Sequence, residues 1–460
     1  MFFMLKKQFF HRLALLTMFV GLLCGALTTS GKNVEITILA TADIHGQIAL
    51  VQGSVAPLVA DYRKRLPDSV IYVDVGDTAQ GTFAINRRRG KGMMSAMSSA
   101  GCDIWVPGNH EMEYGFEAFK AMVAEFPGTV LAANLSAPEL SSKVRDLVIV
   151  EKQGVKIAFI GLMLKNMNNC FPVAEARFQT LPGAAVLQKC VRRAIAQGAD
   201  ITVLLRHAGK YGGGENLMDI LRHTPEVQLV IGAHTHLPEP GCRIANAWYV
   251  QPAAHGRNIA VVKIFFDPAS RQIVQLESKL QKLAPKRTNI GADARKKAPA
   301  VTANDENFVA VKLREACKSD LALYAVSSVA PYRKLLNKKS PLVIDYYRAF
   351  SYLDPVITVD VSAGEFRAIM REYVRFAHKR KQLLAVAGFS FTARKGKLHA
   401  LEFEVKKNRY TLAITAFAAA GAGGQLPGIR RILQKRIDHT AAEKAPALLE
   451  ILCKNQLSKQ

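Results

Sequence analysis

The sequence lacks the cysteine spacing that marks a closed structural metal site. It contains seven cysteines, and no two of them form a Cys-x-x-Cys motif. Closed structural zinc sites commonly depend on such thiolate pairs, so the sequence argues against a site of this kind. It also lacks a DNA- or RNA-binding motif and any low-complexity tract. These absences exclude a nucleic-acid-binding module and favour a chain that folds around hydrophobic cores.

Acidic residues are few compared with basic ones. The chain has 62 Lys and Arg against 37 Asp and Glu, which gives a formal net charge of +25. Such a charge favours anionic substrates or adhesion to acidic polymers of a cell envelope. The basic runs at 87–89, 378–381 and 395–397 are predicted to be solvated faces, because no nucleic-acid motif accompanies them.

The N-terminus has the features of an export signal. Basic residues precede an apolar stretch from Leu13 to Leu27, and small or polar residues follow it. This order predicts a signal peptide over residues 1–30 and therefore an exported protein, periplasmic or extracellular. Association with the envelope, through a lipid on Cys24 or an uncleaved signal anchor, is the alternative.

The remaining chain is long enough for two domains. Between 33 and 283, short apolar strands alternate with helical segments, one of them at 184–197. This pattern predicts an α/β domain that ends in antiparallel edge strands at 248–251, 259–266 and 272–276. Residues 284–306 are rich in Pro, Ala and Lys and are interpreted as a linker. Residues 307–460 mix helices with strands, among them 321–326 and 383–391, so a smaller α+β domain is predicted there.

Polar side chains that can bind metals follow five of the predicted strands, at the point where each strand ends. In open α/β sheets, the carboxyl ends of the strands carry the ligand-binding residues. We therefore expect these side chains to converge at one edge of a single sheet. They are Asp43 and His45 after 36–40, Asp77 after 70–75, Asn109 and His110 after 103–106, His207 after 201–205, and His234 and His236 after 227–231.

The chemistry of this set suits divalent metal ions. Imidazole, carboxylate and amide oxygen together favour Zn, Mn, Fe or Co, and the sequence leaves the choice among them open. The candidates are too many for one ion but suit two ions that share a bridging carboxylate. Two ions a few ångströms apart clamp a phosphoryl group and acidify a bridging water. The alternative, a set of unrelated polar surface residues, is disfavoured because five separate strand ends agree.

The segments Thr41–Gly46, Gly76–Thr82, Val106–Gly115 and Ile231–His236 resemble, in sequence and in order, the calcineurin-like metallophosphoesterases. The fuller matches are Thr41–Gly46 and Val106–Gly115. They are similar to the exported 5′-nucleotidase/UDP-sugar hydrolase branch of that family. The resemblance extends over roughly 33 to 267 and implies a four-layer α/β/β/α domain.

The resemblance also implies roles for the candidate residues. Seven would be ligands of two ions: Asp43, His45 and His236 of one, Asn109, His207 and His234 of the other, with Asp77 bridging them. His110 would not bind metal but would stabilise the phosphoryl transition state or assist the leaving group. Glu113 would orient His110. Arg206 replaces the hydroxyl residue common before the third ligand and is expected to point to solvent.

Over the second domain the resemblance is weaker and rests on the stretches 346–354, 385–391 and 421–424. It implies Arg333 as the phosphate contact of this domain, beside Asn109 as the substrate contact of the first. Gln425 occupies a position where a ring that stacks on a nucleotide base is expected, and the second ring falls near the aliphatic Leu384.

Three phenylalanines could supply the missing rings, although aromatic residues of strands are more often part of a core. They are Phe389, Phe391 and Phe417. Each stacked ring contributes about 1–3 kcal/mol to binding a base. The absence of rings at the two expected positions therefore predicts only a weak preference for nucleotides.

The sequence therefore predicts an exported phosphoesterase with two divalent ions that hydrolyses phosphate monoesters, with nucleotides as the first candidates. The alternative substrates at the same site are a cyclic phosphodiester, a sugar phosphate or another non-nucleoside phosphate. A binding module with altered substrate recognition is the remaining alternative. The expected partner is a small-molecule phosphate ester and not a nucleic acid.

Overall fold

The computed structural model describes residues 33–171, 177–211, 215–284, 293–299, 301, 305–350, 352 and 354–453. The predicted signal peptide and most of the predicted linker lie outside these ranges. A search of the described residues for a helix long and apolar enough to span a membrane found none. The six cysteines in these ranges are free thiols.

The strands are β1 (Val34–Thr41), β2 (Val70–Asp74), β3 (Ile104–Trp105), β4 (Thr129–Leu131), β5 (Leu135–Ser136), β6 (Val144–Arg145), β7 (Leu147–Lys152), β8 (Val155–Leu162), β9 (Gln179–Thr180), β10 (Ile201–Arg206), β11 (Leu229–Gly232), β12 (Glu239–Ile244), β13 (Ala247–Gln251), β14 (Asn258–Asp267), β15 (Gln272–Lys282), β16 (Leu321–Val326), β17 (Val356–Ser362), β18 (Leu383–Ala387), β19 (Phe389–Arg394), β20 (Lys397–Phe403) and β21 (Arg409–Thr415).

The α-helices span Ile48–Leu50, Ala56–Arg65, Phe83–Arg87, Met93–Ser99, Phe116–Glu125, Gly183–Ala196, Leu217–Arg222, Phe308–Cys317, Val329–Leu336, Val343–Ala349, Ala363–Arg380, Ala416–Ala419, Pro427–Leu433, His439–Lys444 and Leu448–Leu452.

Two mixed sheets form the first part of the chain. The seven-stranded sheet has the order β15-β14-β1-β2-β3-β4-β6, and the six-stranded sheet has the order β12-β13-β11-β10-β8-β7. In the first sheet β1, β2, β3, β4 and β6 run parallel to one another. β14 pairs antiparallel with β1, and β15 pairs antiparallel with β14, as the sequence predicts for the last strands. The predicted strand at 248–251 instead lies inside the second sheet as β13, parallel to β11.

The two sheets pack face to face because alternate residues of each strand point to opposite sides. Ile71 of β2 and Val203 of β10 belong to the core between the sheets. Their neighbours Tyr72 and Leu204 point outward, into two other cores. Apolar runs without polar alternation are typical of strands that are covered on both faces.

Helices cover both outer faces. Val59 and Tyr62 of the helix Ala56–Arg65 pack in the same core as Tyr72, outside the first sheet. Leu187 of the helix Gly183–Ala196 packs in the core that contains Leu204, outside the second sheet. The four-layer α/β/β/α arrangement implied by the resemblance is therefore confirmed.

The five strand ends that carry polar side chains come from both sheets. β1, β2 and β3 belong to the seven-stranded sheet, whereas β10 and β11 belong to the six-stranded sheet. The expectation of a single sheet is wrong, because buried parallel strands have the same sequence pattern whichever strand they pair with. The site is built where two sheets meet.

The C-terminal part contains a four-stranded sheet of order β17-β21-β16-β18 and the hairpin β19-β20. The single strand predicted over 383–391 is two strands, β18 and β19, separated by Gly388. Gly388 has a φ of +87°, a conformation that favours glycine. The chain turns there into the separate hairpin.

The helix Val343–Ala349 fastens the C-terminal part to the loop that follows β2. The Tyr347 hydroxyl donates to the Gly81 carbonyl at 2.6 Å and accepts from the Asn86 amide at 3.0 Å. Its ring packs edge-on against Phe83, with centroids 5.4 Å apart. Because this loop also carries Asp77, the contact connects the two parts of the chain next to the predicted site.

Gly388→Ala should destabilise the protein by about 2–4 kcal/mol, because it combines left-handed strain with a steric clash. A Cβ there would lie 2.1 Å from the Asp320 carbonyl oxygen. Thermal or denaturant unfolding measures the change. Gly364→Ala is the matched control: a Cβ at 364 meets no atom within 4 Å, and this variant should be stabilised by about 0.4–1 kcal/mol. Equal stability of the two variants would contradict the prediction.

Candidate metal centre

One group of candidate ligands contains Asp43, His45 and His236. Their ligand atoms all lie within 4.8 Å of one another. Nε2 of His45 is 3.0 Å from Nε2 of His236, which is itself 3.6 Å from Oδ1 of Asp43. These three residues are the ones that the sequence assigns to the first ion.

A second group contains Asp77, His207 and His234, again with ligand atoms within 4.8 Å of one another. Nε2 of His207 is 3.2 Å from Oδ2 of Asp77. The backbone N–H of His234 lies 3.0 Å from both carboxylate oxygens of Asp43, which joins the second group to the first. Asp77 therefore belongs to the group assigned to the second ion, and its role as a bridge stays a prediction.

Five of the seven predicted ligands have a left-handed backbone, which residues with a side chain rarely adopt. Such a conformation costs about 1–3 kcal/mol at a non-glycine residue and is typical of functional sites. Here it turns each side chain back toward the site directly after a strand. The residues are Asp43 (φ 52°), His45 (φ 51°), Asp77 (φ 53°), His234 (φ 70°) and His236 (φ 59°).

Glu111 ties the loop that carries Asp77 to the loop that carries Asn109. Its fully buried carboxylate accepts backbone N–H groups of Asp77 (2.9 Å), Thr78 (2.7 Å), Ala79 (2.9 Å) and Gly108 (2.6 Å). Burial raises the pKa of Glu111, while the backbone donors favour its ionised form. The sequence alone does not predict this role, although an acidic residue stands at the end of Gly-Asn-His-Glu, residues 108–111.

Glycine is required where these loops meet. A Cβ on Gly108 would lie 2.3 Å from Oδ1 of Asp77 and 2.5 Å from Cε1 of His207. A Cβ on Gly76 would lie 2.4 Å from the backbone nitrogen of Gly108. The loops after β2 and β3 therefore approach each other more closely than residues with side chains allow.

Two of the histidines are oriented by a hydrogen bond at Nδ1. Nδ1 of His207 donates to the Val75 carbonyl oxygen at 2.5 Å, which turns Nε2 toward Asp77. Burial alone would lower the pKa of His207, but the Asp77 carboxylate outweighs it and raises the pKa to about 10. Nδ1 of His45 is 3.2 Å from Oε1 of Gln80, which leaves its Nε2 facing His236. Hydrogen bonds of this kind fix the ring orientation of metal-binding histidines.

The residues of both groups fit divalent cations. Among the residues that the structure describes, Asn109 Oδ1 is buried without a hydrogen-bond partner, and such an orphan atom is rare without a ligand. Burial lowers the pKa of His45 to about 3 and that of His234 to about 4, so both are neutral at pH 7. Metal ligands must be deprotonated in this way.

His110 lies beside the second group. Its Nδ1 is 2.8 Å from Oε2 of Glu113, and its Nε2 is 4.0 Å from Oδ2 of Asp77. Burial alone would lower the pKa of His110, but Asp77 and Glu113 outweigh it and raise the pKa to about 9. The imidazole therefore keeps a proton, and its ring stacks on Tyr352 with centroids 5.8 Å apart. The sequence did not predict that stacking.

The two predicted arginines lie elsewhere. Arg206 is buried, and its guanidinium donates to the carbonyls of Gly209 (2.6 Å) and Glu215 (2.7 Å). The expectation that it points to solvent is wrong, because the loop after β10 needs donors for its carbonyl groups. Arg333 lies on an exposed part of the helix Val329–Leu336 and pairs with Glu306 at 3.2 Å. The structure does not bring it together with the metal groups.

A cavity of about 780 Å³ opens beside the metal centre, between the N-terminal and C-terminal parts. Asn109, His110 and His234 line it on one side. On the other side it is lined by aromatic residues from the C-terminal part, which are Tyr324, Tyr352, Tyr373, Phe376 and Phe417. Volumes of this size accommodate small-molecule ligands.

Only one of the three substitute phenylalanines lines this cavity. Phe417 does, whereas Phe389 is buried against Phe366, with ring centroids 4.8 Å apart. Phe391 and Leu384 are partly buried against the same core. The other rings that the C-terminal part contributes come from β16, from the segment before β17 and from the helix Ala363–Arg380, and no sequence pattern distinguishes these rings from core residues.

Comparison with known proteins gives the class. Residues 36–238 match the model of the calcineurin-like phosphoesterase family. The chain therefore carries a calcineurin-like phosphoesterase domain, and the resemblance inferred from its motifs is confirmed. This family uses two divalent metal ions, for which the two groups provide candidate ligands.

The curated relatives of the chain include 5′-nucleotidases. Snake venom 5′-nucleotidase of Gloydius brevicauda is 25% identical over 274 residues, which are 53% of this chain and 45% of that protein. For the 5′-nucleotidase of Rattus norvegicus the identity is 25% over 278 residues, which are 52% of this chain and 46% of that protein. The chain thus spans less than half the length of these relatives.

A solved structure shares the fold over most of the chain. The 5′-nucleotidase precursor of Thermus thermophilus superposes with a TM-score of 0.62 at 17% identity. The match covers 93% of this chain and 97% of that chain. The α/β domain and the C-terminal part thus occur together in another protein.

Glu111→Gln should lower stability by about 2–4 kcal/mol and also lower the metal content, although Glu111 is not a predicted ligand. The amide nitrogen of Gln cannot accept the backbone N–H groups that the carboxylate holds. Thermal unfolding and elemental analysis of the purified protein measure both effects. The control is Glu117→Gln, at a side chain that is 65% exposed, where the change should stay within about 0.5 kcal/mol. Wild-type metal content in Glu111→Gln would overturn the anchoring role.

Proposed function

We propose that this chain hydrolyses phosphate monoesters with two divalent ions, and that nucleotides are among its substrates. The observation that carries the proposal is the position of the two ligand groups. They lie beside a cavity of about 780 Å³ that His234 of the second group lines together with Asn109 and His110, and the His110 imidazole keeps its proton. Zn, Mn, Fe and Co all suit the nitrogen and oxygen donors of these groups.

The side chains of the centre would divide the work of ester hydrolysis. The ions, when bound, supply polarisation of the phosphoryl group and an acidified water. Asp43, His45 and His236 would hold one of them, and Asn109, His207 and His234 the other, with Asp77 shared. His110, oriented by Glu113, would donate a hydrogen bond to charge that develops on the phosphoryl oxygens or on the leaving group.

The cavity wall opposite the centre suits an ester with a flat group. Phe417 and Tyr352 line it, with exposed fractions of 39% and 49%. A base or aryl ring that stacks there gains about 1–3 kcal/mol per stacked ring. Arg380 and Lys165 also line the cavity and would attract an anionic substrate. Arg333 is not included, because it pairs with Glu306 on an exposed helix.

We also propose export. The basic and apolar pattern of the first 30 residues supports it, and three of the relatives are named as snake venom enzymes. N-terminal sequencing of the protein recovered from its native host is the check. A mature chain that begins at Met1 would exclude cleavage of the signal.

Asp77→Asn should lose activity and both ions together, because one shared carboxylate neutralises charge at both sites. His110→Ala should keep its metal content while turnover falls by about 10²–10³-fold, since the imidazole would stabilise charge without ligating. Elemental analysis and steady-state kinetics separate the two outcomes. Loss of an ion from His110→Ala would reassign that residue as a ligand.

Phe417→Ala should lower kcat/KM for AMP by about tenfold to a hundredfold, which corresponds to one lost stack. Its effect on ribose 5-phosphate should be less than about twofold, because that substrate has no base to stack on Phe417. Tyr211→Ala is the matched control, since Tyr211 is 91% exposed and does not line the cavity. Kinetics with AMP, ribose 5-phosphate and 4-nitrophenyl phosphate, each with and without chelator, give the comparison.

Two results would count against the proposal in different ways. Equal kcat/KM for AMP and ribose 5-phosphate, unchanged in Phe417→Ala, would favour a non-nucleoside phosphate ester as substrate. Hydrolysis that persists in the presence of chelator, or no hydrolysis of any ester by the metal-loaded protein, would exclude the metal-dependent phosphoesterase activity.

A further inference from the structure

His255 lies next to the first metal group, and neither its spacing in the sequence nor the family resemblance marks it. It occupies the turn Ala254–Gly256 that follows β13. Its ring centroid is 5.0 Å from that of His45 and 5.5 Å from that of His236. The two imidazoles of the group itself, His45 and His236, are 4.9 Å apart. The three rings thus form a nearly equilateral triangle.

This spacing of the ring centres is compatible with three imidazoles around one ion. The group whose ligand atoms already lie within 4.8 Å of one another contains Asp43, His45 and His236, so His255 would join it by rotation of its side chain. With metal–nitrogen distances of about 2.0–2.1 Å, two imidazoles at about 90–120° around one ion have ring centres about 4.5–5.5 Å apart. The second group follows the same rule, because His207 and His234 have centroids 5.4 Å apart. His110 lies within this distance of His45 alone, at 5.3 Å. Its other nitrogen, Nδ1, is held by Glu113.

The backbone at His255 is tied to the first group. The N–H of His255 donates to the carbonyl oxygen of Asp43 at 2.7 Å. His255 has a φ of 59°, the same left-handed conformation as Asp43, His45 and His236. Such strain at a residue with a side chain is typical of positions that the site requires.

The neighbouring glycine keeps this turn close to the helical segment after β1. Gly256 has a φ of +61°, and a Cβ on it would lie 2.2 Å from Cδ2 of Leu50. The turn is therefore packed in place and cannot move outward without opening the contact with Leu50. The position of the His255 ring is set by the fold and not by a free loop.

The imidazole of His255 is available as a ligand. Within the described ranges of the chain, its ring nitrogens make no hydrogen bond or ion pair. An imidazole whose nitrogens are not engaged can offer a lone pair to a cation.

We propose that His255 is a ligand of the ion held by Asp43, His45 and His236. The inference rests on the two-ion centre of the proposed function, but not on the reaction or the substrate. A third imidazole gives the first ion a nitrogen-rich set, which disfavours Mg and Mn relative to Zn, Co and Fe. It also makes the two ions unequal, because the second group has two imidazoles.

The test is a Co²⁺ titration of the metal-free protein, followed by visible absorption and by competition with a chromophoric chelator. His255→Ala should weaken one of the two bound ions by about tenfold to a hundredfold or more and leave the other unchanged. The absorption of one Co²⁺ equivalent should change as well, because it reports the ligand set. His399→Ala, at an exposed histidine of β20, is the matched control and should behave as wild type.

His255→Gly separates the imidazole from the backbone, because glycine adopts a positive φ without strain. If both variants lose affinity for one ion and change its spectrum, the ligand role is supported. Wild-type affinities and spectra in both variants would overturn it. Loss in the alanine variant alone would overturn it too, since backbone strain would then be the cause. If the wild-type protein binds two ions but hydrolyses no phosphate ester, the proposed function fails and the ligand inference still stands.

Discussion

The candidate metal centre depends on one buried carboxylate. Glu111 accepts four backbone N–H groups from the loops that follow β2 and β3, and so it fixes the two loops relative to each other. A buried carboxylate is costly unless it is fully hydrogen-bonded, and these loops need an acceptor because their turns leave N–H groups unpaired. The carboxylate and the backbone N–H groups of the loops thus satisfy each other's hydrogen bonds. This contact positions Asp77 and Asn109.

The left-handed backbone conformations at the metal centre also depend on hydrogen bonds between loops. Asp43, His45, Asp77, His234 and His236 all lie directly after strands and turn back through left-handed conformations. Neighbouring hydrogen bonds offset this cost, as where the His234 N–H meets the Asp43 carboxylate. The turns are therefore held by contacts between loops of two different sheets, and no single loop could maintain them alone.

The sequence predicted most of this arrangement because strand periodicity and local motifs are short-range signals. It identified the seven candidate ligands. It also predicted the bounds of β16, and those of the helix Gly183–Ala196 to within one residue. It failed where a side chain is oriented by distant partners. Arg206 turns inward to carbonyls of its own loop, Phe389 packs on Phe366, and His255 meets His45 only after β13 has paired with β11. The assignment of strands to one sheet failed for the same reason, since pairing is a long-range property.

The contact of Tyr347 with Gly81 and Asn86 has a consequence for how such proteins diversify. It locks the two halves of the chain together through backbone and amide groups that lie outside the cavity. The residues that face a substrate from the C-terminal half can then be exchanged without disturbing either the lock or the ligands. Substitutions in the part of the cavity wall that the C-terminal half forms would therefore alter which molecules fit, without rebuilding the metal-binding side chains.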